Sequence, residues 1–501
     1  MKIKEIFKDL GSNIKNVFKG PGKKENLFSL DGRTSIQNAI PFGIQHVLAM
    51  FAANVTPIII VFAAIGLLGT NFAVYSMLGA LFMAGIGTII QLLIGARLPI
   101  VIGTSFTFVP IFITIGLSAG GGENAYYTIM GSIIVGGLFA SIFSLFYKYW
   151  SKLIKPIVPA IVVLGIGLSL LSSGANQFFG GSTIISNVVS TGQTGTGIPY
   201  FVYIIVAFVT IIVALLWSLL VKGVWKNINI IVGIIAGYLV CCCIPGMVDF
   251  SGLKIDSNAL IGPHGIFDYP HLIDFSKIKF ELVPCVLTSV CFTVAIVEAI
   301  GDTTALTLAG LGRTPTWREL GGTLVSDGLN STIGAMFGAL PLTTFSQNVG
   351  IVAQTKVINR FTILIGAMFL VIASFFPPIA NFIYSIPDVV IGGTMVILFG
   401  SIGAIGMKSI ADIGFSDKNI LIVAISLCVG FGLSIANVTL ADGTVAMTVS
   451  LFSKLGLAWL GDLLSNNVLN MFLISLILSW VLPDSMHIKL FHIKKKENSK
   501  E

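Results

Sequence analysis

The sequence predicts an all-α polytopic membrane protein with fourteen transmembrane segments. Of its 501 residues, 55% are hydrophobic and 10% are charged, with a mean hydropathy of +0.95, whereas a soluble domain carries about 25% charged residues. The apolar residues fall in runs close to the roughly 20 residues that a helix needs to cross a bilayer. Lys and Arg collect in alternate connections, as expected if those connections face the cytoplasm.

The predicted spans follow one another closely. They cover residues 39–66, 72–95, 99–117, 124–149, 152–173, 200–221, 227–247, 283–310, 320–340, 341–357, 360–384, 387–407, 418–436 and 462–483. The third and tenth are short and irregular, and residues 438–456 are a candidate for a further re-entrant or interfacial piece.

The basic residues indicate that both termini are cytoplasmic. Residues 1–38 and 484–501 carry much of the formal net charge of +7, and 1–38 contains no apolar stretch of signal-peptide type. The even-numbered connections are basic, whereas the odd ones are nearly free of Lys and Arg, apart from Lys454 and a longer, charge-balanced loop at 248–282. This pattern favours a location at the cytoplasmic face of a membrane over nucleic-acid binding.

The 248–282 loop divides the chain into two halves of seven spans that are weakly alike. P-I-V-I-G-T-S-F at 99–106 is similar in kind to P-L-T-T-F-S-Q-N at 341–348. Since seven is odd, the halves would enter the membrane in opposite directions. Paired, interrupted segments in inverted repeats indicate a substrate site near the bilayer midplane.

The tenth span is unusually polar for a lipid-facing helix. Pro341 and the β-branched Thr343 and Thr344 disfavour a continuous helix. Non-helical backbone is tolerated at membrane depth only where protein or a water-filled cavity satisfies it. The sequence therefore predicts a polar cavity, and its expected lining in this span is Thr344, Phe345, Ser346, Gln347 and Asn348.

Ionisable side chains within spans indicate function by default. Glu298 and Asp302 are four residues apart, so they share a helix face, and their mutual repulsion favours holding a proton between them. The alternative is a structural pair capped by helix ends or hydroxyl groups. His46 and Asp327 have comparable structural and functional interpretations: hydrogen bonding between helices, or substrate binding and proton coupling.

The polar residues suit a flat, uncharged ring with N–H and C=O groups at its edge. Gln347 offers a donor and an acceptor, and ionised Glu298 accepts two N–H bonds. Phe106 could stack on the ring face, although a packing role is the commoner one for Phe. Phosphate is disfavoured because no Gly-rich phosphate loop or Arg cluster reaches the midplane, and a metal is disfavoured because no His/Cys cluster exists.

Q-N-V-G-I-V-A-Q-T-K at 347–356 resembles the signature of the nucleobase–ascorbate transporter family. The Q-H pair ending at His46, E-A-I-G-D at 298–302 and D-G at 327–328 resemble it too, and the likeness covers about residues 35–485. The resemblance implies fourteen spans in inverted repeats, with short antiparallel strands in spans 3 and 10. It also implies cation coupling, by protons in bacteria with sodium as the alternative, and a homodimer.

The family further implies a core domain and a gate domain. The core would comprise spans 1–4, within residues 39–173, and spans 8–11, at 283–384. The gate would comprise span 5, at the end of 39–173, spans 6 and 7, at 174–247, and spans 12–14, at 385–483. The loop at 248–282 would be extracellular.

Residue roles follow from the resemblance, position by position. Glu298 resembles the principal substrate-binding carboxylate, Gln347 the second polar anchor and Phe106 the stacking aromatic. Ala53, Phe345, Ser346 and Asn348 complete the expected substrate site, and the positions expected to act in proton coupling or affinity are Asp302, Asp327 and His46.

The resemblance implies a proton-coupled importer of xanthine or uric acid in the cell membrane, without a further cofactor. Gln347 with Asp302 resembles the purine branch, whereas Asn54 and Thr56 depart from the commonest wording of xanthine permeases, so uracil or another base stays open. An anion exchanger or channel of related fold is a weaker alternative, since no positive charge is visible near the predicted site. An intramembrane enzyme is weaker still, because no nucleophile–base pair or metal set accompanies the acids.

Overall fold

The computed structural model describes residues 11–483 except 21, 223–225, 227, 249, 251–260, 264, 440–444 and 448–450. Part of the predicted N-terminal segment, part of the 248–282 loop, part of the candidate piece at 438–456 and the whole tail at 484–501 therefore lie outside the described residues.

The chain is predominantly helical. The helices before the long loop are α1 (Ile36–Ala64), α2 (Asn71–Leu93), α3 (Val109–Ser118), α4 (Gly122–Leu145), α5 (Tyr147–Trp150), α6 (Ile157–Phe178), α7 (Gly181–Thr191), α8 (Tyr200–Leu220) and α9 (Asn229–Cys242). Strand β1 (Ile102–Thr104) and a 3₁₀ turn (Phe106–Phe108) precede α3. Pro110, near the start of α3, suits a helix start because its missing N–H would have no partner there.

A second set of helices follows the long loop. Its helices are α10 (Leu282–Leu311), α11 (Trp317–Met336), α12 (Ser346–Thr355), α13 (Arg360–Ala373), α14 (Pro377–Tyr384), α15 (Asp388–Ile413), α16 (Asp417–Ile425), α17 (Gly432–Ile435), α18 (Leu451–Lys454), α19 (Ala458–Ser465) and α20 (Asn467–Val481). Strand β2 (Leu342–Thr344) precedes α12, a π-helical stretch (Ser426–Phe431) joins α16 to α17, and β3 (Asn437–Thr439) pairs with β4 (Val445–Met447).

Within the described residues, seven helices are long and apolar enough to cross a membrane. An eighth candidate is the pair α13–α14, whose two halves are bent by 82° at the break before Pro377. Of the remaining predicted spans, 320–340 forms the uninterrupted 20-residue helix α11, which is not among the apolar candidates. The others are shorter helices or helices interrupted by other structure. The prediction of an all-helical polytopic membrane fold is confirmed at this level.

The two interrupted segments meet through their strands. β1 and β2 pair antiparallel, with Ile102 opposite Thr344 and Thr104 opposite Leu342. Two further bonds extend the ladder almost symmetrically: Ser105 N–H donates to the Pro341 carbonyl at 2.9 Å and Phe345 N–H donates to the Val101 carbonyl at 3.0 Å. The strand backbone is thus satisfied inside the bundle, as membrane burial requires.

The helices form two groups by their packing. In the first, α13 packs on α1 and α2, α4 packs on α10 and α11, and α11 packs on α2. In the second, α6 packs on α15 and α20, while α8, α9 and α15 pack together. Contacts between the groups are less extensive and involve mainly α10 with α6.

The N-terminal segment is fastened to the connection between α12 and α13. The Arg360 side chain is 2% exposed, forms an ion pair with Asp31 and donates to the Asn13 Oδ1 atom at 2.8 Å and the Leu92 carbonyl at 3.0 Å. Asn359 donates to the carbonyls of Ser29 and Gly32. Residues far apart in sequence thereby hold the C-terminal end of α2 beside the start of α13.

Candidate functional site

A cavity lies where the two interrupted segments face the second helix group. The first group contributes the ends of β1 and β2, the starts of the following helices, and Glu298 of α10. The second group contributes apolar residues of α6 and α15, together with Ser401. Six residues predicted for the site or its lining do line this cavity: Phe106, Glu298, Thr344, Phe345, Ser346 and Gln347.

The two carboxylates of α10 are each held by a hydroxyl from a different interrupted segment. Thr107 Oγ1 donates to Glu298 Oε2 at 2.8 Å, and Ser346 Oγ donates to Asp302 Oδ2 at 2.6 Å. Both carboxylates are partly exposed rather than enclosed. Thr107 and Ser346 belong to the first turns that follow β1 and β2. The hydrogen bonds to the two acids therefore depend on the positions of both segments.

Phe106 takes part in an aromatic contact across the two helix groups. Its ring is 7% exposed and meets the Phe399 ring of α15 edge-on, with the ring centroids 5.4 Å apart. A planar ligand that stacked on Phe106 would therefore also lie beside α15.

Asp327 and Asn54 perform matching structural tasks at the strands. Asp327 Oδ2 accepts from the Thr344 N–H at 3.0 Å and from its hydroxyl at 3.1 Å. Asn54 Oδ1 accepts from the Thr104 N–H at 2.7 Å and from its hydroxyl at 3.1 Å. Gln91 Nε2 donates to the other Asp327 oxygen at 2.8 Å. The unusual Asn54 of the first span thus holds β1, and Asp327 holds β2.

His46, Asn348 and Ala53 are buried among helices and do not line the cavity. Asn348 Nδ2 lies 3.0 Å from His46 Nδ1 and donates to the His46 carbonyl at 3.2 Å, which joins α12 to α1. Ala53 is 1% exposed. Asp302 and Asp327 likewise lie outside the set of residues that line the cavity, although Asp302 contacts Ser346, which does line it.

Sequence reasoning missed several residues around this site. Thr107 and Gln91 hold predicted acids, Thr104 and Ser105 line the cavity, and so do residues of α6 and α15 such as Ile166 and Leu398. A polar Gln91 within an apolar run was an available signal. The apolar residues of the wall gave no such signal, because in sequence they are indistinguishable from residues that face lipid.

The side chains that line the cavity carry either no charge or a negative one. Its only ionisable lining residue among those described is Glu298. The starts of α12 and of the turn before α3 face it, and helix N-termini carry partial positive charge that suits carboxylates and the carbonyl groups of a ligand. Among the described residues, no group of three or more His, Cys, Asp or Glu is placed to hold a metal ion.

A membrane bundle in which two interrupted segments meet at a polar cavity is the architecture of a membrane transporter. The family model Xan_ur_permease, described as a permease family, matches residues 37–439. The chain belongs to this family, the nucleobase–ascorbate transporter family that the sequence motifs indicated.

Individual relatives agree with this membership. The chain is 32% identical to xanthine permease XanQ of Escherichia coli K12 over 421 residues, which cover 81% of this chain and 86% of that protein. It is 30% identical to a xanthine permease of Bacillus subtilis 168 over 414 residues, covering 80% and 87%. The transmembrane domain of the cyanobacterial bicarbonate transporter BicA has a similar fold, with a TM-score of 0.56 at 16% identity over 81% of this chain and 95% of that one.

Proposed function

We propose that this permease imports a purine nucleobase, xanthine or uric acid, together with protons. The observation that carries the proposal is the placement of Glu298 and Gln347 on one cavity, which the first turns after β1 and β2 also line. The two xanthine permeases to which the chain is similar support the choice of substrate class.

The lining matches the chemistry of an oxopurine such as xanthine or uric acid. Glu298 accepts N–H bonds from the ring edge, and the Gln347 amide pairs with an adjacent C=O and N–H. Phe106 contacts the ring face, with Phe345 and Ser346 completing the wall. Asn348 and His46 act indirectly, by fixing α12 against α1, and Ala53 lies buried on α1.

Proton coupling rests on the pair Glu298 and Asp302. An ionised carboxylate at the midplane is costly to move through the membrane. A proton bound together with the substrate removes that cost and lowers the barrier to movement of one helix group against the other. Asp327 contributes by holding β2 in the geometry that the site needs. Sodium is the alternative coupling ion.

Uptake of labelled xanthine into proteoliposomes tests the proposal. Glu298→Gln is expected to lower uptake by up to about a hundredfold, because it removes a charged acceptor at a half-buried site, where such a bond contributes up to about 3 kcal/mol. Glu123→Gln is the matched control, since Glu123 lies at the N-terminal end of α4 in an ion pair with Lys277. Normal accumulation by Glu298→Gln would overturn the proposed role.

The same assay separates the alternatives. Competition by unlabelled xanthine and uric acid, with collapse by a protonophore, is the expected result. Competition by uracil alone would reassign the substrate, and dependence on sodium without sensitivity to the protonophore would reassign the ion. Chloride-dependent exchange would favour an anion exchanger, which the likeness in fold to BicA makes the second candidate; Glu298 in the cavity disfavours it.

We further propose fourteen spans in two inverted repeats, with the first helix group as the core domain and the second as the gate. Both termini would face the cytoplasm and the protein would reside in the cell membrane. Cysteine labelling of single residues in the connections, in intact cells, tests this orientation.

The protein is also proposed to form a homodimer. The side of α8 that bears Phe201, Phe208 and Leu219 is exposed and apolar, so it suits either lipid or a second copy. A molecular mass of one chain in a native membrane extract would contradict the dimer.

A further inference from the structure

A second cavity opens on the outer surface of the first helix group, between α2, α4 and α11. This groove has a volume of about 380 Å³. Its walls include Ile94, Leu145 and Leu329, which are exposed to 57%, 68% and 43%. The basic side chains of Lys148 and Arg318 line the same groove. The two basic residues distinguish this groove from the first cavity, whose ionisable lining residue is Glu298.

The groove lies at one end of the bundle rather than at its centre. It is formed by the C-terminal ends of α2 and α4, the start of α5, and the part of α11 from Trp317 to Leu329. The N-terminal segment binds the same end of α2, through Asn13 and the Leu93 carbonyl. Trp317 and Tyr147 also line the groove, and such aromatic side chains favour the headgroup level of a bilayer. The groove therefore spans from headgroup level into the acyl region.

A buried hydroxyl in the groove wall has no partner in the part of the chain that the structure describes. Ser144 is 1% exposed, its Oγ atom makes no hydrogen bond to described residues, and it lines the groove. A buried polar atom without a partner is unfavourable. An ester or phosphate oxygen of a ligand in the groove would accept a hydrogen bond from the Ser144 hydroxyl.

The charge beside the groove is positive. The acidic residue nearest in sequence, Glu319, is already engaged: its two oxygens accept from Arg313 at 2.6 and 2.9 Å, and the Thr316 N–H donates to one of them at 2.7 Å. The N-terminus of the 20-residue helix α11 adds partial positive charge beside Arg318. The groove thus offers cationic groups for an anionic headgroup.

We propose that this groove binds an anionic phospholipid. The phosphate lies by Lys148 and Arg318, an ester oxygen accepts from Ser144, and one acyl chain follows the apolar wall past Leu329. Basic pockets between transmembrane helices on the cytoplasmic side recognise anionic headgroups in this way. The apolar wall is as long as an acyl chain, so it favours a lipid as the occupant. Free phosphate would gain no binding energy from such a wall.

Lipid retention by the purified full chain tests the proposal. Delipidated protein in detergent is incubated with dioleoyl phosphatidylglycerol, dioleoyl phosphatidylcholine or inorganic phosphate, and native mass spectrometry counts the lipid retained. Phosphatidylglycerol is expected to bind more tightly than phosphatidylcholine. The double variant Lys148→Gln, Arg318→Gln is expected to weaken its binding about fivefold for each charge removed.

Two further variants separate charge from shape. A side-chain Cβ at Gly321 would meet no atom within 4 Å, so Gly321→Leu should fill the groove without disturbing the helix and should also reduce retention. Lys152→Gln with Lys408→Gln is the control, because both residues are exposed and neither lines the groove. Equal retention in all variants, equal affinity for phosphatidylcholine, or inorganic phosphate displacing the lipid from its site would each overturn the proposal.

Discussion

Glu298 and Asp302 share one face of α10, but each accepts a hydrogen bond from a different interrupted segment. Thr107, after β1, binds Glu298, whereas Ser346, after β2, binds Asp302. A change in the protonation of either acid alters a hydrogen bond to one particular segment. The hydroxyl donors therefore matter as much as the acids for linking charge to geometry.

Thr107→Val should reduce transport by removing the donor to Glu298 while keeping the side-chain shape. An unsatisfied charged acceptor costs roughly 1–3 kcal/mol, so initial uptake is expected to fall about tenfold or more. Thr107→Ser keeps the hydroxyl and should retain most activity. Equal uptake by the Val and Ser variants, measured at matched protein density, would show that this hydrogen bond is dispensable.

Sequence alone identified the acids but not their partners. Glu298, Asp302 and Asp327 stand out because ionisable groups are rare in spans. Thr107 does not, because Thr appears in many spans for packing, and the polar Gln91 stands out without showing which acid it binds. Their roles depend on contacts across 191 and 236 residues of sequence, and no local pattern encodes such a contact. The link between α1 and α12 through His46 and Asn348 likewise depends on a contact between distant residues.

The strand pair depends on close packing around Gly103. A Cβ atom at this position would lie 2.6 Å from the Phe345 ring and 3.0 Å from the Met50 methyl group. Gly103 thus allows Phe345, at the end of β2, to lie against β1. The sequence predicted two interrupted segments from their polar, Pro-led character, but it could not give this register, which is set by the opposing chain.

Gly103→Ala should displace Phe345 and distort the cavity. Overpacking of a close contact costs about 1–3 kcal/mol. Uptake is expected to fall severalfold, a larger proportional loss than that in the unfolding midpoint in detergent. Gly350→Ala is the control in the adjoining helix α12, because its Cβ would meet no atom within 4 Å. A Gly103→Ala protein with unchanged xanthine uptake would contradict this role for the contact.

At the scale of the whole molecule, the second helix group is held together by glycines. A Cβ on Gly167 of α6 would lie 2.3 Å from the Gly403 backbone nitrogen of α15, and one on Gly406 would lie 2.4 Å from that of Leu164. Small residues let membrane helices approach closely. This tight crossing makes α6 and α15 a firm wall for the cavity.

Gly167→Val is expected to force α6 and α15 apart and to lower the yield of folded protein. Its unfolding midpoint in detergent should fall by several degrees, because backbone atoms cannot move aside as side chains can. Gly400→Val, also on α15, offers a comparison in which the added Cβ meets nothing within 4 Å. Similar unfolding midpoints for the two variants would mean that the crossing of α6 and α15 tolerates the added side chain.

The burial of Arg360 has a practical consequence for handling the protein. Its guanidinium depends on Asp31 and Asn13, residues that precede the first helix of the bundle. A shortened expression clone that starts at α1 would leave a positive charge buried beside α2 without its acceptor, and removing one partner of such a pair is strongly destabilising. Clones intended for crystallisation or cryo-microscopy should therefore keep the chain from Asn13 onward, however dispensable a basic leader looks in an alignment.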